Sequence, residues 1–133
     1  MQVIFESNLV PEIREKHVLL ELDTVKYTGL TKPLTLYALI EDIDIIGISD
    51  LPLLITQHQE FIDAYKKNSN WEDAIANLNS LIGKWNGQLD SFYNFSLEKS
   101  KEFQLTNASW NGIVNSDQIE VESVETFDIP KNR

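Results

Sequence analysis

His17-Val18-Leu19-Leu20-Glu21-Leu22-Asp23-Thr24-Val25-Lys26-Tyr27 is followed, after Thr28-Gly29-Leu30-Thr31-Lys32-Pro33, by Leu34-Thr35-Leu36-Tyr37-Ala38-Leu39-Ile40-Glu41. In the first run Leu20 and Leu22 face one way while Glu21 and Asp23 face the other, the period-two alternation of a half-buried strand. The second run repeats it, with Leu34, Leu36, Ala38 and Ile40 on one face. Between them Gly29 can take positive φ and Pro33 cannot donate to a ladder, so the pair reads as an antiparallel hairpin.

Upstream, residues 2–5 alternate weakly and can form a further short strand, and Glu12 to Lys16 reads as a charged connector. Downstream, Ile43 to Ile48 either adds a strand or leads into helices. Ser49 and Asp50 are capping residues, Pro52 falls in a first helical turn, and Leu54, His58, Phe61, Ile62 and Tyr65 recur at helical spacing. This helix is expected to end near Lys67-Asn68-Ser69. Asn70 caps the next helix, with Asp73 three residues on. Trp71, Ile75, Leu78, Ile82, Trp85, Leu89 and Phe92 then follow in steps of four and three, the seam of a helix packed on a helix. Gly83 and Asn86-Gly87 break that seam, so a third helix is expected from Gln88 to Phe103, burying Leu89, Phe92, Tyr93 and Leu97.

The expected fold is α+β: a short antiparallel sheet of amino-terminal strands packed in two layers against two or three carboxy-terminal helices. Residues 1–104 are expected to form one domain, and 105–133 an acidic tail that is partly extended or disordered. Within the tail Trp110-Asn111-Gly112 marks a turn, and Ile119-Glu120-Val121-Glu122 alternates briefly.

Composition narrows the function. Eleven Lys and Arg stand against 21 Asp and Glu, a formal net charge of −10, and such a surface repels nucleic acid and anionic membrane. Sequence-specific nucleic-acid binding is therefore not expected. A basic partner is one reading of the acidity, and solubility alone is the other. Without cysteine there is no disulfide, thiolate nucleophile or zinc ribbon. The opening residues do not read as a signal peptide, and no apolar run is long enough for a membrane span, so a cytoplasmic setting is expected.

Asn70-Trp71-Glu72-Asp73-Ala74, preceded by Ala64-Tyr65, resembles the turn between the two helices of a tetratricopeptide repeat. No second copy follows at a period of about 34 residues, so an ordinary helical hairpin is expected. Gly83-Lys84-Trp85-Asn86-Gly87-Gln88-Leu89-Asp90-Ser91-Phe92-Tyr93 resembles a segment of small uncharacterised proteins of marine tailed phages. That resemblance extends over the strand hairpin and the helix pair, and implies a viral setting in the host cytoplasm. The family has no established activity, so it assigns no catalytic residue.

Read on its own, the same stretch is a helix end followed by a helix whose aromatics fill a core, with Asp90 accepting a hydrogen bond from a buried Trp or Tyr. Trp85-Asn86-Gly87 recurs as Trp110-Asn111-Gly112, which shared turn chemistry explains. His17 and His58 have no ligand or catalytic spacing. Glu41, Asp42 and Asp44 are the candidate metal carboxylates, but only Asp42 and Asp44 share a side of an extended chain, fewer than a hard cation needs. No phosphate loop or catalytic elbow is present, and no catalytic residue and no cofactor is expected.

The expected function is a protein-protein interaction or accessory module, with Trp71, Trp85, Asp90, Phe92 and Tyr93 as candidate binding residues. A homodimer is expected as a second mode of association. The alternatives are a carboxylate-based metal-dependent enzyme on Glu41, Asp42 and Asp44, and an acidic nucleic-acid mimic.

Overall fold

The structure is a computed structural model describing residues 2–29, 31–107 and 109–115. It has the α+β composition that the alternating and helical patterns imply, arranged in two compact units. One is built from the chain up to Ile46 and resumes at Ile113; the other spans Gly47–Gly112.

The first unit is a four-stranded sheet in the order β1-β3-β2-β4. Strands β1 (Gln2–Phe5) and β2 (Val18–Lys26) both pair antiparallel with β3 (Leu34–Ile40). The hairpin thus forms where the alternation placed it, and Thr24 and Thr35 join their hydroxyls across it at 2.9 Å. Val3, Leu20, Leu22, Leu36, Ala38 and Ile40 are buried. A β-bulge between Glu21 and Thr24 shifts the register, and Asp23, read as solvent-facing, is buried there. Residues 10–16 differ from the expected connector: Val10–Lys16 is a helix, α1, with Pro11 in its first turn. Proline lacks an N–H that a first turn would leave unused anyway, and burial of Val10 anchors the element. Arg14 of α1 stacks its guanidinium 5.5 Å from the Tyr37 ring centroid.

The sheet is mixed rather than wholly antiparallel. Strand β4 (Ile113–Asn115) lies parallel to β2, pairing Thr24 with Ile113 and Val25 with Val114. It falls in the segment expected to be a partly extended tail, whereas residues 119–122 lie outside the described residues. The stretch Ile43 to Ile48, for which a strand and a lead-in to helices are both open in the sequence, begins inside the short helix α2 (Asp42–Ile45).

The second unit is helical: α3 (Leu51–Ile62), α4 (Trp71–Leu81) and α5 (Asp90–Thr106), with α4 packed on both of the others. Both sequence-read caps form. Asp50 accepts the Leu53 N–H at 3.3 Å, and Asn70 Oδ1 accepts the Asp73 N–H at 3.2 Å. The break falls at Trp85–Gly87, a single 3₁₀ turn in which φ is positive at Trp85, Asn86 and Gly87. The left-handed conformation is costly for a bulky residue. Trp85 offsets that cost by burying its whole indole, with only 1% of its surface left exposed. Helix α5 then continues to Thr106 and ends on left-handed Asn107, with Leu97 half-buried rather than buried.

Candidate functional site

Helix α3 does not stop at Ile62 but widens into a π-helical turn, Asp63–Lys67, closed by the Asn68 N–H donating to Asp63 O at 3.0 Å. A π turn loosens the usual i→i−4 ladder, leaves carbonyls for other donors, and is frequent at functional sites. Here the Tyr65 carbonyl accepts the Trp110 indole N–H at 2.7 Å. Two residues on, Gly112 passes so close that a Cβ there would lie 2.8 Å from the Lys66 carbonyl oxygen. Its φ of +82° is also a conformation that glycine takes without strain. The Trp110-Asn111-Gly112 turn is thereby clamped onto the π turn.

That clamp assembles an aromatic cluster. Trp110 lies 5.3 Å from the buried Tyr65 ring and 5.0 Å from Phe103, and Trp71 lies 5.2 Å from Phe103 and 6.2 Å from Tyr65. Tyr65 is wholly buried, but Trp71, Phe103 and Trp110 are each only half-buried. On the next turn back along α5, Lys99 sets its ammonium 5.7 Å from the Phe103 centroid and 5.6 Å from that of Phe95. These half-buried rings already hold one cation of the chain itself.

On the other flank of the α4 amino terminus is a cleft of about 390 Å³, lined by Glu60, Asp63, Asn68, Asn70, Asp73 and Asn77 together with Ala64. Asp63 accepts from Gln59 Nε2 at 3.1 Å and pairs with Lys67 at 3.3 Å, while Asp73 Oδ2 accepts from Asn70 Nδ2 at 2.8 Å. The spacing Asn70, Asp73, Asn77 is one helical face, and Trp71 belongs to the neighbouring face. One turn of α4 therefore carries both the aromatic and the acidic side of the site.

Of the sequence candidates, only Trp71 belongs to this surface. Trp85, Phe92 and Tyr93 are core side chains, each exposing 1% or less. Phe61 and His58 surround the two rings of α5, and His58 Nδ1 lies 2.9 Å from the Tyr93 hydroxyl, making His58 the core histidine that its spacing suggested. Burial pushes the Tyr93 hydroxyl pKa far up; Trp85 only partly opposes this and the Asp90 charge adds to it. Asp90 is half-buried and accepts the Gly83 backbone N–H at 2.8 Å, rather than the expected indole or phenol.

Glu41 and Asp42 are exposed at the start of α2. Among the described residues no three His, Asp or Glu side chains come together so as to hold a metal ion. Likewise, no helix among them is long and apolar enough to cross a membrane.

The sequence reading passed over Phe103 and Trp110 as part of this site. Phe103 stood as the last residue of a helix and Trp110 as a turn marker, yet the Trp-Asn-Gly spelling was the available signal. Both copies place their glycine at positive φ, and both set a tryptophan against the helical unit. No protein-family model, no curated protein and no solved structure matches the chain.

Proposed function

We propose that this chain is a protein-protein interaction module that engages its partner through the aromatic cluster of Trp71, Phe103 and Trp110. The observation that carries this reading is that three large rings stand side by side only partly buried, on a scaffold fixed by the Trp110–Tyr65 hydrogen bond and the Gly112 approach. Rigid aromatics lose little conformational freedom on binding and dominate the hot spots of interfaces. Isolated exposed apolar residues are ordinary on a protein surface, whereas a contiguous group marks a contact. The resemblance to marine tailed-phage proteins directs the search for a partner to phage and host proteins.

The test is affinity capture from infected and uninfected host lysate on the full chain, alongside Phe103→Ala and Trp71→Ala variants whose circular dichroism is unchanged. A protein retained by the wild type and weakened about 30-fold or more by either variant is the expected result, the scale of a hot-spot truncation. Retention of the same proteins by wild type and folded variants alike refutes the reading.

A further inference from the structure

Resting on that reading, we infer that the partner segment that docks at the π turn is basic, and that arginine or lysine side chains of this segment enter the cleft between α3 and α4. The aromatic rings alone would accept any apolar partner. The cleft beside them discriminates, because Glu60, Asp63 and Asp73 supply three carboxylates and Asn68, Asn70 and Asn77 line the rest of it with uncharged amides. Each carboxylate oxygen has more than one acceptor direction, and the single hydrogen bonds and the Asp63–Lys67 pair leave directions open. An acidic segment or a phosphate would meet like charge there, on a chain whose formal net charge is already −10.

The rings favour the same occupant independently. Lys99 shows that the Phe95 and Phe103 faces hold a cation at 5.6 and 5.7 Å, the geometry in which ring quadrupoles attract positive charge. A guanidinium can stack on an indole and also present a planar fork of donors to a carboxylate, so one arginine-bearing segment satisfies both flanks of the α4 amino terminus. Lys67 pairs with Asp63, and an incoming arginine would compete for that carboxylate with better geometry than a single ammonium.

The probes are three synthetic peptides: alternating arginine and leucine, the same with glutamate replacing arginine, and the same with serine replacing leucine. Each is titrated into the full chain, followed by tryptophan fluorescence and by amide shifts at 63–77. The arginine-leucine peptide is expected to bind, the glutamate version not to bind, and the serine version to bind more weakly. The cleft variant Glu60→Gln/Asp63→Asn/Asp73→Asn should weaken the arginine-leucine peptide roughly tenfold, three exposed charge pairs at modest strength each. A remote variant of equal charge, Glu12→Gln/Glu15→Gln/Glu41→Gln, should change it less than about twofold.

Equal weakening by the two variants reduces the binding to general attraction and overturns the inference, as does equal binding of the glutamate peptide or failure of the arginine peptide to bind. If a captured host protein still depends on Phe103 while any of those results holds, the aromatic interface stands and only the basic partner falls. If capture and peptide binding both fail, the interaction reading itself goes.

Discussion

Replacing Gly112 with alanine adds a Cβ at 2.8 Å from the Lys66 carbonyl oxygen, on a backbone whose φ is +82°. The first penalty is conformational, about 1–2 kcal/mol for placing an L residue in the left-handed region. The second is steric. The atom in the way belongs to the backbone of the π turn and cannot rotate aside, so relief requires shifting residues 63–67, an overpacking cost of about 1–3 kcal/mol. The sum is roughly 2–5 kcal/mol, and for a chain of 133 residues it lowers the thermal midpoint by about 7–18 °C.

Gly83→Ala is the internal control. Its φ is +89° but no atom stands within 4 Å of the Cβ position, so it carries the conformational penalty alone. Urea unfolding of both variants, read by circular dichroism, isolates the contact term as their difference, expected to be at least about 1 kcal/mol. Because Gly112 holds Trp110 against Tyr65, its alanine variant alone should also red-shift the tryptophan emission. Equal losses in the two variants, within about 0.5 kcal/mol, would refute the claim that the π turn is clamped by this approach.

Ser96 and Ser100 are fully buried on α5 with hydroxyls that find no hydrogen-bond partner among the described residues, so Ser96→Ala or Ser100→Ala should raise stability by up to about 1 kcal/mol in urea unfolding. Asn70→Ala removes the α4 cap and should cost about 1 kcal/mol, with faster amide exchange at Asp73 as the local sign. Tyr93 sets a pH limit. Its pKa is raised on folding, so above the ordinary value of 10.0 the unfolded chain releases a proton that the folded one keeps. Stability is therefore whole below pH 10 and falls above it, by up to about 1.4 kcal/mol per pH unit. Thermal midpoints across that range should fall less steeply in Tyr93→Phe, although this variant starts lower for want of the His58 hydrogen bond.

Local signals carried the elements that depend on local chemistry. The alternation of residues 17–41 gave the hairpin, and Asp50 and Asn70 gave two helix starts, because a cap is decided within three residues of itself. Helix α1 escaped because seven residues are too few to display a period, and its anchor, Val10, stands before the proline that masked it. Asp23 was read on the wrong side since a bulge inserts one residue and inverts all facing beyond it. The pairing of Ile113 with Thr24 joins residues about ninety positions apart, a contact that no window along the chain contains.

The site was legible only in part for a related reason. Helical spacing tells which aromatics share a stripe, not whether the stripe meets water. Trp71 and Trp85 lie on one seam, yet one edges the surface and the other fills the interior. Trp71 is the first residue of α4, whereas Trp85 is carried by the 3₁₀ turn between α4 and α5, and only the packed structure distinguishes the two positions.

The parallel pairing of β4 also sets an order of events in synthesis. Strand β2 leaves the ribosome early, but the neighbour for its second edge emerges only after the entire helical unit, an interval of about 4–17 s at elongation rates of about 5–20 residues per second. Throughout that time a row of unpaired amides and carbonyls stands open to any passing strand. Glu21, Asp23 and Lys26, the charges spaced along β2, are the residues that make such mispairing unfavourable until its late companion arrives.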